Sequence, residues 1–262
     1  MKSVRFERTD NIGSIVLANP PYNRLDVRFA NCLEEAVREA SEGDIRVLVV
    51  RAEGPNFSLG GEVREWPGGD ANWFRTFVAK VNSSYRAIEA LRVPTVAIVQ
   101  GAAFGGGFEL ALSCDFIVTA DDSMFRCVEV TTAMLPLAGA LQRLAERVGR
   151  GRASRFVMLG EPISGTQAAK LGIATHVASM DSLSRVAGEL ISKLVNGPTM
   201  SFATTRTLLK AWSSGGAAGA DSSMLDICID LYGSDDATRG FLNTAAAFDI
   251  DAVPPDISFH GK

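Results

Sequence analysis

With 262 residues, 47% of them hydrophobic and 21% charged, and with no long polar or low-complexity tract, the chain has the composition of a folded domain with a large core rather than of a disordered segment. A formal net charge of −4 argues against a surface built to neutralise nucleic-acid phosphates, so no nucleic-acid partner is expected. No apolar stretch reaches the roughly 18–20 residues of a membrane helix, and the opening MKSVRFERTD lacks an apolar signal segment; no membrane partner and a cytoplasmic location are expected.

The elements follow in chain order. Val4 to Glu7 and Ser14 to Leu17 read as two strands of a hairpin turned at Asn11-Ile12-Gly13. Asp26 can cap a helix carried by Phe29, Leu33, Val37 and Ala40 and stopped at Gly43. Arg46 to Arg51 reads as a buried strand, and Trp73 to Leu91 as a long amphipathic helix that ends at the Val93-Pro94 step. Strands follow at Thr95 to Val99 and Phe116 to Thr119, and this succession of strand, helix and strand predicts an α/β core with parallel pairing. Ser164 and Gln167 form a capping box, Gly172 suits a helix stop, and Ile173 to Val177 reads as the last strand. Beyond it the pattern is helical, with Ser213 to Gly219 (SSGGAAG) read as a loop between terminal helices. These late helices are too few to bury their own apolar faces, which suggests packing on another subunit. A core domain is expected over residues 1–197 and a helical oligomerisation region over 198–262.

Two histidines, His176 and His260, leave little room for Ser-His-Asp or Cys-His chemistry. The four cysteines, Cys32, Cys114, Cys127 and Cys228, show neither a CxxC pair nor metal-ligand spacing, so no metal site is expected. Attention falls instead on two glycine turns between an apolar strand and a helix: Phe57-Ser58-Leu59-Gly60-Gly61-Glu62, and Gly101 followed by Gly105-Gly106-Gly107-Phe108-Glu109. N–H groups in such turns lack partners, and glycine lets a ligand approach the backbone, so both are natural cradles for an oxyanion. Tight strand-to-helix packing is the alternative explanation of either turn alone. Glu109 and Glu129 each lie in an apolar context, where a carboxylate is costly unless it has a task or a partner. Trp66-Pro67-Gly68-Gly69 reads as an ordinary surface loop, with a flexible lid near the first glycine turn as the alternative, and Asp115 reads as a residue fixing a strand start.

These segments together resemble the enoyl-CoA hydratase/isomerase, or crotonase, family over most of the chain. NPPYNRL (19–25) resembles its NPPxNAL element, FSLGGE (57–62) its FxAGAD loop, VQGAAFGGGFELALSCDFIVTADDSMF (99–125) its central signature, and ISGTQAAKLGIA (163–174) a later helix and strand. The resemblance implies a ClpP/crotonase-like spiral of ββα units with a helical C-terminal trimerisation region, assembled as trimers or hexamers. It implies oxyanion-hole amides on Gly61 and Gly106, catalytic glutamates at Glu109 and Glu129, and substrate contacts from Arg24, Leu59, Gly60, Gly105 and Leu137. The implied ligand is an acyl-CoA or another acyl thioester, with no metal or redox cofactor. The implied reaction is hydration of a 2-enoyl thioester; the alternatives are Δ3,Δ2-enoyl-CoA isomerisation, other enolate chemistry, or a binding protein that keeps the fold without turnover. The chain departs from the pattern in four places: FRCV before Glu129 in place of FGxP; PLAGALQRL (136–144) in place of PGxGGTQRL, where Leu137 and Leu141 would narrow the acyl pocket; Gly61-Glu62 in place of Ala-Asp; and NTAAAFD (243–249), where relatives carry basic residues for the nucleotide.

Overall fold

The computed structural model describes residues 2–261. The chain divides into two compact units, one running through Leu91 and resuming at Thr95–Leu190, the other made of Arg92–Pro94 and the chain from Ile191 onward.

The first unit is built on a six-stranded sheet. Its strands, in spatial order, are β1 (Val4–Thr9), β2 (Ile12–Leu17), β3 (Val47–Ala52), β4 (Thr95–Val99), β6 (Phe116–Ala120) and β9 (His176–Ala178). Only the β1–β2 hairpin is antiparallel; the other neighbours run parallel. The hairpin turns at Asp10-Asn11, with Asp10 at φ 51°, one position before the turn read from the sequence. Val47, Leu48, Val49 and Val50 are all buried, as expected of a parallel strand covered on both faces. Helix α1 (Val27–Glu42) is capped by the Asp26 carboxylate, which accepts from Phe29 N–H at 2.6 Å, and packs on β1, β2 and the long helix α2 (Ala71–Ala90).

A second sheet holds β5 (Ala102–Phe104), β7 (Met124–Arg126) and β8 (Ile163–Ser164). These strands of two or three residues carry too little periodicity to be read from sequence. The short helix α3 (Gly106–Leu112) follows β5; α4 (Ala140–Val148), α5 (Arg150–Leu159) and α6 (Gly165–Lys170) follow β7. The capping box at Ser164 and Gln167 is present. Ile173 and Ala174 are buried but not in a strand: their N–H groups bond the Ala168 carbonyl, and β9 begins at His176.

Asn23 ties the loops behind the first glycine turn. Fully buried at φ 46°, it accepts from Asn19 N–H at 2.8 Å and donates to the carbonyls of Glu53 and Asn56 at 3.0 and 2.9 Å. Its own carbonyl accepts from Ser58 Oγ at 2.7 Å.

The second unit contains the end of α7 (Met180–Asn196), then α8 (Thr199–Tyr232) and α9 (Asp235–Phe248). The expected SSGGAAG loop is reduced to a single break in α8 at Gly216, where φ is 63° and ψ −161°. The glycine and alanine around it stay helical, since small residues next to one flexible joint need not unwind. The buried Asp236 carboxylate accepts from the N–H groups of His260 and Gly261 at 2.7 and 2.6 Å and so fixes the tail.

Replacing Asn23 by Ala removes three hydrogen bonds, leaves two part-buried carbonyls without this donor and forces a left-handed backbone on alanine. Stability should fall by about 3 kcal/mol, or a Tm drop of roughly 6–12 °C by calorimetry.

Candidate active site

The first glycine turn is held between two parts of the chain. Leu25 N–H donates to the Gly60 carbonyl and Glu62 N–H to the Leu25 carbonyl, both at 2.9 Å, so Leu25 and Gly61 are bridged in parallel. Ser58 is bridged likewise to Ala103 on β5. Gly60 lies at φ 80°, and a side chain there would come within 2.8 Å of the Phe104 carbonyl. The second turn needs glycine as much: Gly105, at φ 49°, donates its N–H to the Arg126 carbonyl at 2.9 Å, and Gly106 opens α3. Fully buried Tyr85 donates its hydroxyl to the Gly106 carbonyl at 2.7 Å, fixing that residue from behind. Among the described residues, neither the Gly61 nor the Gly106 N–H has an acceptor. Both glycines line one cavity of about 220 Å³.

Glu109 and Glu129 line the same cavity. Glu109 is 4% exposed, and its Oε1 accepts from the N–H groups of Ala138 and Ala140 at 2.8 and 3.1 Å. Burial raises its pKa above 4.5, while those amides and the Arg143 charge pull it back. Arg143 locks the amides in place, donating to the Ala138 carbonyl and pairing with Glu89 at 2.5 Å. Gly139 between them, at φ 108°, leaves no room for a side chain against the Arg143 guanidinium. Glu129 begins a short 3-10 turn, Glu129–Thr132, and lies against Gly105, whose would-be Cβ is 3.0 Å from Oε1. Burial first, and then the Glu109 charge, push its pKa up to about 7, while its own backbone N–H opposes the shift. Its Oε2 is buried without a hydrogen-bond partner. The unusual FRCV approach is anchored by Arg126, which donates to the Gly160 carbonyl at 2.6 Å.

Of the other sequence-derived residues, Arg24, Leu59, Gly105 and Leu137 line the cavity. Gly60 does not: its carbonyl is committed to Leu25, and it shapes the turn one residue behind the wall. Leu141 is also corrected, being 41% exposed and outside the cavity because α4 turns it away. Arg24 lies 3.9 Å from Glu62 and over the Tyr22 ring. The Arg64 guanidinium bonded to Glu62 holds that carboxyl down at about 2. Asp115 clamps Thr95 through backbone and hydroxyl, consistent with a strand-start residue, and His176 lies outside the cavity. Two contributors, Tyr85 and Arg143, escape the sequence reading, and a third, Trp66, is open there between loop and lid. Trp66 is half-buried in a 3-10 turn, Val63–Gly68, and lines the cavity rather than an ordinary surface loop. Tyr85 and Arg143 act through backbone groups; the only trace of Arg143 in sequence is its place after the glycine of PLAGALQRL.

The family model described as enoyl-CoA hydratase/isomerase matches residues 7–226. The carnitinyl-CoA dehydratase of Salmonella typhi is 30% identical over 81% of this chain and 82% of its own. The mitochondrial methylglutaconyl-CoA hydratase of Mus musculus is 33% identical over 66% of this chain and 57% of its own. Among solved structures, an enoyl-CoA hydratase from Polaromonas sp. JS666 superposes with a TM-score of 0.86 at 25% identity, covering 96% of this chain and 98% of that one. One from Geobacillus kaustophilus HTA426 reaches a TM-score of 0.90 at 23% identity, covering 100% and 98%, and establishes the crotonase fold. With a family model that spans all of the cavity-lining residues and most of the chain, the chain is an enzyme of the enoyl-CoA hydratase/isomerase family.

Proposed function

We propose that the protein hydrates 2-enoyl-CoA thioesters. The observation that carries this reading is the meeting of two partnerless amides, the buried Glu109 carboxylate and the half-buried Glu129 carboxylate in one largely apolar cavity. The thioester oxygen accepts from Gly61 and Gly106 N–H. As water adds at C3, charge moves onto that oxygen, and each fixed donor is worth about 3 kcal/mol to the enolate-like transition state. Glu109, whose Oε1 is held by two amides in the way a carboxylate requires, takes a proton from the attacking water. Glu129, half-protonated near neutrality, delivers a proton to C2. Proton exchange between the carboxylates restores the starting state. Proton transfer and amide donors carry every step, and no cofactor is called upon. The relatives' names support CoA as the carrier, with Arg24 as the cation at the cavity.

Glu109→Gln and Glu129→Gln should each lower kcat by about 10²–10⁴-fold with the fold retained. The check is incubation with 2-enoyl- and 3-enoyl-CoAs followed by product mass. Gain of one water is hydration; rearrangement of the 3-enoyl substrate without mass gain would replace it by isomerisation.

The Glu129 shift also has a thermodynamic sign. Its pKa rises from 4.5 unfolded to about 7 folded, so the folded state binds the proton more tightly between those values. The associated stability is complete below the unfolded value and is lost as pH rises through about 7. Urea midpoints should therefore decline from acid toward neutral pH, and Glu129→Gln should shrink that decline; the raised Glu109 contributes in the same direction.

The second unit exposes Leu225, Ile229, Tyr232, Leu242 and Phe248 at 67–78%. In this reading further copies of the chain cover them, forming a homotrimer or a hexamer made of two. Light scattering should give three or six times 27.9 kDa, and a monomer would remove the assembly.

A further inference from the structure

We infer that Trp66 is the specificity-determining residue of the acyl pocket, and that glycine at position 61 exists to seat it. The inference deepens the hydration reading by naming a substrate class: compact, short acyl chains rather than long ones.

A Cβ built on Gly61 would meet Trp66 ring carbons at 2.5, 3.0 and 3.5 Å, and these are its nearest neighbours. Gly61 is not at positive φ, so its backbone does not require glycine. The three atoms that the alanine methyl of the resembling FxAGAD pattern would meet first all belong to this indole, which would have to move to admit it. Removing a methyl beside an oxyanion donor leaves that donor's N–H unchanged and opens space, which here the indole fills.

The ring is braced. Glu62 caps the 3-10 turn that carries Trp66 and is itself held by Arg64. Trp66 C=O accepts from Gly69 N–H at 3.1 Å, and its ring meets Phe74 of α2 edge-on at 5.3 Å between centroids. Because the ring touches the residue whose amide takes the thioester oxygen, it borders the first carbons of the acyl group. Phe77, Val78 and Val81 of α2 extend the same apolar wall. A rigid aromatic surface at that place favours a short acyl chain by contact and excludes a long one by overlap.

The test uses the full-length protein, with calorimetric titration of butyryl-, octanoyl- and palmitoyl-CoA alongside turnover of the matching 2-enoyl-CoAs. The wild type should bind butyryl-CoA best. Trp66→Ala should gain about tenfold or more for palmitoyl-CoA over butyryl-CoA, the scale of one misfitted pocket contact. Gly61→Ala alone should weaken all three ligands about tenfold, and the double variant G61A/W66A should recover to about the level of Trp66→Ala, a coupling that a merely structural tryptophan would not give. An unchanged length preference in Trp66→Ala, or Gly61→Ala that binds like wild type, overturns the assignment while hydration stands. A wild type that binds these thioesters but hydrates none removes the reaction, and the titrations still decide the role of Trp66.

Discussion

A backbone N–H without a partner inside a folded protein costs about as much as a lost hydrogen bond, roughly 1–3 kcal/mol. Gly61 and Gly106, both half-buried, each present an N–H without an acceptor among the described residues at the wall of one cavity. Much of the first unit serves to keep them unpaired and in place. Parallel bridges from Leu25 and Ala103 grip the first turn, and the buried Tyr85 hydroxyl grips the second. Left-handed glycines at 60, 101 and 105 let the chain turn where any side chain would strike backbone or the Glu129 carboxylate.

The carboxylates follow a similar logic with opposite charge. A buried glutamate is unfavourable, and the two here are treated unequally. Glu109 receives two amides from the start of α4, whose position is set by Arg143 and, behind it, Glu89. Glu129 is left with an orphaned oxygen and a pKa near neutrality. Burial raises both, but only Glu109 is held by those amide donors, so the two carboxyls of one cavity differ in their partners.

The departures from the family pattern acquire physical meaning in this setting. Arg126, where a glycine is usual, braces the strand that leads to Glu129 by bonding the end of α5. Leu137 enters the cavity while Leu141 points away, so only one of the two added side chains bears on the ligand. Gly61 and Trp66 occupy one space between them.

The sequence by itself determined the α/β class, the hairpin, α1 with its Asp26 cap, the capping box at Ser164 and the parallel core strands, because periodicity and capping are local and survive any tertiary context. It also singled out Gly61, Gly106, Glu109 and Glu129, which line one cavity, since glycine pairs next to strand ends and glutamates in apolar runs are anomalies visible in one dimension. It did not determine β5, β7 and β8, which exist only by pairing with each other, nor the single break at Gly216 in place of a loop. Only the tertiary structure brought Glu129 to Gly105, set Gly60 behind the wall instead of in it, and laid Trp66 against Gly61. Those are contacts between segments whose partners are chosen by packing, and packing has no signature in the order of residues.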